Sequence, residues 1–197
     1  TVYSNANING NGGAEINGDA YAVGTITPEI WNLYVTGNKY PGSPLVEMPI
    51  SDPAAWSQPW KDAAATGGTQ STNCTLGWQG GNIGPKKYDC NLILNGGGQF
   101  TMQGPIWVTG NLTITGGADL WLADSFGSNE SVVIVDGKVS FAGGSEVHAT
   151  TANPKGYILI GTNSTASDAL TVTGGNQSGI FYVLDGRANL SGGVNMT

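Results

Sequence analysis

The sequence predicts an all-β chain, a right-handed parallel β-helix of about five or six coils with a Pro/Trp-rich insertion that contains a short α-helix. Three observations predict it. Glycine supplies 32 of 197 residues, roughly twice the ordinary share of about 7 %, and it collects at the ends of short apolar runs. Charged residues are only 11 %, less than half the usual figure of about 25 %, so small uncharged side chains must make up much of the surface. The apolar runs themselves return at a near-constant interval. Disorder is excluded by 39 % hydrophobic residues and six Trp, which a chain without a core would not carry. Collagen would need glycine at every third position, and a helical bundle would need long stretches free of it.

Two kinds of segment alternate through the second half. One is an apolar run closed by glycine: Ile106–Gly110 (IWVTG), Val133–Gly137 (VIVDG), Tyr157–Gly161 (YILIG) and Val183–Gly186 (VLDG), with closing glycines 27, 24 and 25 residues apart. The other alternates apolar and small polar residues and ends in a glycine pair: Leu92–Gly97, Leu112–Gly117, Val139–Gly144, Leu170–Gly175 and Leu190–Gly193. Such a period, with two or three short strands per repeat, is what a solenoid requires, because a single coil cannot bury its own inward side chains. Glycine belongs at the corners, where a sharp bend after extended residues often needs positive φ. Parallel strands cross over right-handed. An antiparallel sandwich also gives short strands and glycine turns, but it seldom repeats one motif at one period.

Taken in order, residues 1–24 have this texture and form a first coil. Residues 25–85 hold seven of the nine Pro and four of the six Trp and read as an insertion or cover. Within it a helix is expected near 53–66, with Asp52 as N-cap, Pro53 in the first turn, an alanine-rich interior and Gly67 just beyond its end. Pro59 is expected to kink or divide it, and Trp56 and Trp60 share a face. Residues 86–197 form the main solenoid, and the whole chain is one β-helix domain.

The charge of −7 and the pI near 4.3 leave no basic stripe for a phosphate backbone, so nucleic acid is not an expected partner. No run of about 18 apolar residues is present, so no membrane span is expected in this segment. The chain begins at Thr1, which suggests a processed or trimmed ectodomain. Cys74 and Cys90, with a single His, do not make a zinc set. A disulfide is expected, tying the return of the cover to the first rung of the main stack; the alternative is two free buried thiols. Asn-x-Ser/Thr triplets at Asn73, Asn111, Asn129, Asn163, Asn176, Asn189 and Asn195 permit glycosylation on a secreted chain.

Two faces invite functional readings. If Leu112, Ile114, Leu170 and Val172 point inward, then Thr113, Thr115, Thr171 and Thr173 point outward, joined by Ile93, Asn95, Ser140, Ala142, Asn189 and Ser191 on neighbouring coils. That wall is flat and uncharged, and its spaced hydroxyls and methyls suit a sugar or ice surface or a passive solvated wall. In the apolar strands Trp107, Ile134, Ile158 and Val183 make an outward stripe, to be covered by the Trp56/Trp60 helix or by a subunit or partner. No catalytic set, metal site or cofactor is expected. Asp136 and Asp185, each before a corner glycine, would stand roughly 10 Å apart across two coils, which is long for a carboxylate pair. His148 has Glu146 two residues away on its own strand, but no nucleophile to serve.

The strings Lys39–Pro44 (KYPGSP), Met48–Pro53 (MPISDP), Trp60–Asp62, Gly84–Lys87 and Ile106–Ile114 together resemble a group of Gly/Asn-rich β-helical bacterial surface ectodomains, type IV pilin-like or pilus-associated. The resemblance implies a secreted or cell-surface location and a β-helix, and it carries over no catalytic residue. The expected role is therefore a structural or assembly protein of a pilus-like or other surface appendage, with an adhesive role. Its partners would be copies of itself, other surface or pilus subunits, or glycans. The alternative is a carbohydrate- or ice-binding β-solenoid, and after that a polysaccharide-degrading enzyme.

Overall fold

A computed structural model describes residues 2–27, 33–45 and 53–196. Strand pairing among them is parallel throughout, and the chain from residue 69 onward winds into six coils of three strands each, a β-helix with three walls. The coil Lys86–Tyr88, Leu92–Leu94, Gln99–Met102 stacks on Ile106–Val108, Leu112–Ile114, Asp119–Leu122, and so on to Asn195–Met196. The sequence dictates this locally: alternate residues of each short strand are apolar and buried, as in Leu92 and Leu94, Phe100 and Met102, Val139 and Phe141. Each such burial contributes about 1.5–3 kcal/mol, but only because the coils above and below close over it.

Glycine pairs turn the corner between two of the walls. They stack so closely that a Cβ at Gly143, already at φ +65°, would lie 2.9 Å from the backbone nitrogen of Gly116. A side chain there would separate neighbouring coils. At the opposite corner asparagines make a ladder: Asn111 N–H donates to Asn91 Oδ1 and Lys138 N–H to Asn111 Oδ1, both at 2.8 Å. The uneven spacing of the glycine pairs comes from loops at residues 123–130, 149–157 and 163–169, which leave the stack in register.

The N-terminal coil is first in sequence but last in the stack. Asn9–Asn11 pairs with Ala188–Ser191, and Ala14–Ile16 lies between Asn195–Met196 and Leu33–Val35. Residues 2–27 and 33–45 thus close the C-terminal end of the solenoid, with a separate small sheet of Val2–Ser4, Ala20–Ala22 and Lys39–Pro41 beside them. The chain then returns to the other end through α1, Pro53–Ala65. Thirteen residues of helix span about 20 Å, about four strand spacings of about 4.8 Å.

This helix is undivided. Pro59 sits inside it with its side chain exposed, on the outer face, where one lost backbone bond matters least. Asp52, the expected N-cap, lies outside the described residues. Cys74 and Cys90 form a disulfide across 16 residues, joining corresponding corners of the first two coils.

Candidate functional site

The first wall, Thr69–Gln70, Lys86–Tyr88, Ile106–Val108, Ser131–Val135, Ile158–Thr162 and Gly179–Val183, lies under α1. Its outward column is Lys87, Trp107, Ile134, Gly161 and Tyr182. Trp56 rests on Gly161 and stacks with Tyr182, Ala64 and Ser57 are buried, and Ile134 is 1 % exposed. Lys61 reaches from the helix to Asp136 (2.7 Å), which also accepts from Trp107 Nε1 (2.8 Å) and Asn163 Nδ2 (3.2 Å).

The stripe expected at Trp107, Ile134, Ile158 and Val183 is therefore corrected. Ile158 is a core residue paired with Ser131, and Val183 pairs with Thr162, which pairs with Val135. Counting back from closing glycines misplaces them because neither Gly161 nor Gly186 is in register with Gly137: Gly161 lies within the strand, opposite Ile134 and under Trp56, and Gly186 falls one residue past the aligned position. A slip by an odd number of residues turns every side chain to the other face. The same slip undoes the carboxylate pair. Asp136 falls in register with Asn163 and Leu184, not with Asp185, and its oxygens already hold the helix to the wall.

The third wall, Gly81–Ile83, Gln99–Met102, Asp119–Leu122, Glu146–His148, Asn176–Gln177, Asn195–Met196, Ala14–Ile16 and Leu33–Val35, is acidic. Asp119 and Glu146 are neighbours in one outward row, Trp121 and His148 in the next, and the imidazole stacks on the indole at 3.8 Å. His148 Nε2 lies 3.4 Å from Glu146 Oε2 and 4.0 Å from Asp119 Oδ2. Burial pushes the Asp119 carboxyl above the usual carboxylate range, while His148 and the Glu146 N–H pull against that shift. The sequence reading paired His148 with Glu146 and missed Asp119. The signal was available, since Asp119 and Glu146 each follow a glycine pair by two residues. A stacked column of Tyr3, Tyr21 and Tyr40 in the N-terminal sheet, with centroids 4.6 and 4.5 Å apart, also went unread.

The second wall is Thr75–Leu76, Leu92–Leu94, Leu112–Ile114, Val139–Phe141, Leu170–Thr173, Ala188–Ser191 and Asn9–Asn11. One outward column runs without a break in register through Thr75, Ile93, Thr113, Ser140, Thr171, Asn189 and Asn9. Beside it stand Asn95, Thr115, Ala142, Thr173 and Ser191, each two residues further along its strand. Rungs are about 4.8 Å apart and the two columns about 6.6 Å. Neither column contains a charge. Lys138 and Asp168, next to this wall in sequence, pair with each other at 2.7 Å on its flank. Beneath the wall Leu94, Leu112, Ile114, Phe141 and Val172 are at most 2 % exposed, so the backbone that aims the outward side chains rests on a packed core.

The seven Asn-x-Ser/Thr sites divide by chemistry. Asn163, Asn176 and Asn189 donate through Nδ2 to Asp136, Glu146 and the Ser167 carbonyl, the nitrogen a glycan would take. Asn195 Oδ1 accepts from Asn17 and Asn111 Oδ1 from the Lys138 N–H, while Asn73 and Asn129 are exposed in loops. No helix among the described residues is long and apolar enough to cross a membrane.

No protein-family model matches the chain, and no curated protein matches it. Among solved structures it is similar to an ice-binding protein from an Antarctic ascomycete, Antarctomyces psychrotrophicus, at 17 % identity over 98 % of this chain and 91 % of that one, with a TM-score of 0.54. A second, an ice binding protein from an Antarctic biological consortium, is 16 % identical over 97 % of this chain and 86 % of its own, with a TM-score of 0.49. At such identity the likeness is one of fold. It corrects the resemblance to pilin-like bacterial ectodomains: the Antarctomyces structure whose fold it is similar to is an ice-binding protein, and of the strings that carried the resemblance Trp60–Asp62 lies within α1 and Met48–Asp52 lies outside the described residues.

Proposed function

We propose that the chain is a secreted, non-enzymatic β-solenoid that binds ice through its threonine wall. The observation that carries the reading is the uncharged column, continuous in register from Thr75 to Asn9, with its companion column. An ice surface is a rigid lattice that offers only weak individual contacts, so a protein must present many water-ordering groups at once, flat and at a fixed repeat. Hydroxyls and amides supply hydrogen bonds to ordered water, and the Thr and Ile methyls supply the apolar surface between them. Charges would hold hydration shells of their own, and this wall has none. The first wall is covered and the third is acidic. The fold shared with an ice-binding protein supports the same reading, and the disulfide is consistent with secretion.

Sugar recognition by this wall is less well supported, since its two outward columns contain no aromatic ring on which a pyranose would stack. Ser140 and Ala142 interrupt the threonine columns, so the activity expected is moderate. The test is to grow an ice hemisphere from a solution of the fluorescently labelled protein. Incorporation on defined planes is expected, and uniform exclusion into the liquid contradicts the proposal.

A further inference from the structure

We infer that Asp119, Glu146 and His148 on the acidic wall form a binding site for a first-row divalent cation of the zinc type, independent of the ice-binding reading. The three donors come from adjacent coils and converge: Glu146 Oε2 and Asp119 Oδ2 lie 3.4 and 4.0 Å from His148 Nε2, and all three ligand atoms are within 4.8 Å of one another. A tetrahedral site with bonds of about 2.1 Å has edges of about 3.4 Å, so the set needs only side-chain rotation to close on an ion.

The second oxygen of each carboxylate is already engaged. Asp119 Oδ1 accepts the Glu146 N–H at 3.2 Å and Glu146 Oε1 accepts Asn176 Nδ2 at 2.6 Å, the supporting arrangement that orients metal ligands. The imidazole is held by its stack on Trp121. His148 Nε2 itself is enclosed and makes no hydrogen bond, although two carboxylates face it. A buried ring nitrogen placed between two carboxylate oxygens and bonded to neither occupies the position of a ligand. One nitrogen and two oxygens, with a fourth position open to water because each side chain is about a quarter exposed, suit zinc better than calcium, which prefers six or more oxygens.

The chain has a single histidine, so one imidazole can be followed without assignment. Zinc chloride is titrated into the untagged, chelator-treated protein at neutral pH while the imidazole carbon-bound proton signals are recorded by NMR. Saturation of their shift at one equivalent is expected, with loss of that response in an Asp119→Asn/Glu146→Gln variant and no matching response to calcium chloride. Absence of a shift at one equivalent, an unaltered response in the double variant, or an equal response to calcium overturns the site. Circular dichroism confirms that the double variant is folded; should it unfold, Glu146→Gln alone carries the comparison, with at least tenfold weaker zinc binding expected and unchanged affinity contradicting the inference. Ice incorporation is read separately, since the threonine wall shares none of these residues.

Discussion

Gly161 lies directly beneath the indole of Trp56: a Cβ built there would stand 3.3 and 3.4 Å from two ring carbons. The absence of a side chain at one rung lets a helix settle on a wall that would otherwise present an apolar column. A Gly161→Leu substitution should therefore lift the N-terminal half of α1 and destabilise the protein by about 1–3 kcal/mol. Urea unfolding checks the loss, and increased solvent quenching of tryptophan fluorescence checks the displacement.

Asp136 joins helix and wall through three donors, so the two ends of the Lys61–Asp136 pair should not respond alike. Lys61→Met removes one donor and leaves Asp136 bonded to Trp107 and Asn163; a loss of about 1 kcal/mol or less is expected. Asp136→Ala leaves the indole N–H and the ammonium without their acceptor, and about 2–4 kcal/mol should be lost. Equal losses in denaturant titrations would show that the ion pair alone matters.

The Cys74–Cys90 bridge closes a short loop at the end of the stack that the N-terminal residues do not cover. A Cys74→Ser/Cys90→Ser variant should lose about 3 kcal/mol on the loop-entropy estimate. Hydrogen exchange should rise first in strands Thr69–Gln70 and Thr75–Leu76, while the far coils stay protected.

Asp124 accepts both the backbone N–H and the Oγ1–H of Thr151, at 2.8 and 3.0 Å, and these bonds hold its carboxyl below its ordinary value of 3.8. A lowered folded-state pKa contributes stability that is present above the ordinary value and is lost as pH falls through the lower, folded one. Wild type and Asp124→Asn should accordingly differ at neutral pH and converge in acid. Melting curves across that range check it, and a difference that persists at the acid end would assign the effect to something other than this carboxylate.

Much of the fold was legible because the solenoid writes itself twice, as apolar alternation and as corner glycines. Thr113, Thr115, Thr171 and Thr173 point outward beside Ser140 and Asn189 in the register that the glycine pairs imply, since those glycines are true corners. Gly161 is not, which displaced Ile158, and Gly186 lies one residue past the position aligned with Gly137, which displaced Val183 and the Asp136–Asp185 comparison. The place of residues 2–27 at the C-terminal end was illegible for another reason. A parallel edge accepts any strand of the right pattern, and a linker that includes a helix about 20 Å long is able to carry the chain back. The acidic cluster was half seen, because the partner of Glu146 is 27 residues away in sequence and adjacent only across coils.

The central claim, that the uncharged wall is the ice-binding face, is tested most directly by measuring thermal hysteresis for the wild type and two single variants of confirmed fold. Thr171→Lys places an ammonium in the middle of the threonine column, and Thr101→Lys places one on the acidic wall. The wild type should show hysteresis, Thr101→Lys should keep it and Thr171→Lys should lose most of it. Activity retained in Thr171→Lys, or lost in Thr101→Lys alone, would contradict the assignment.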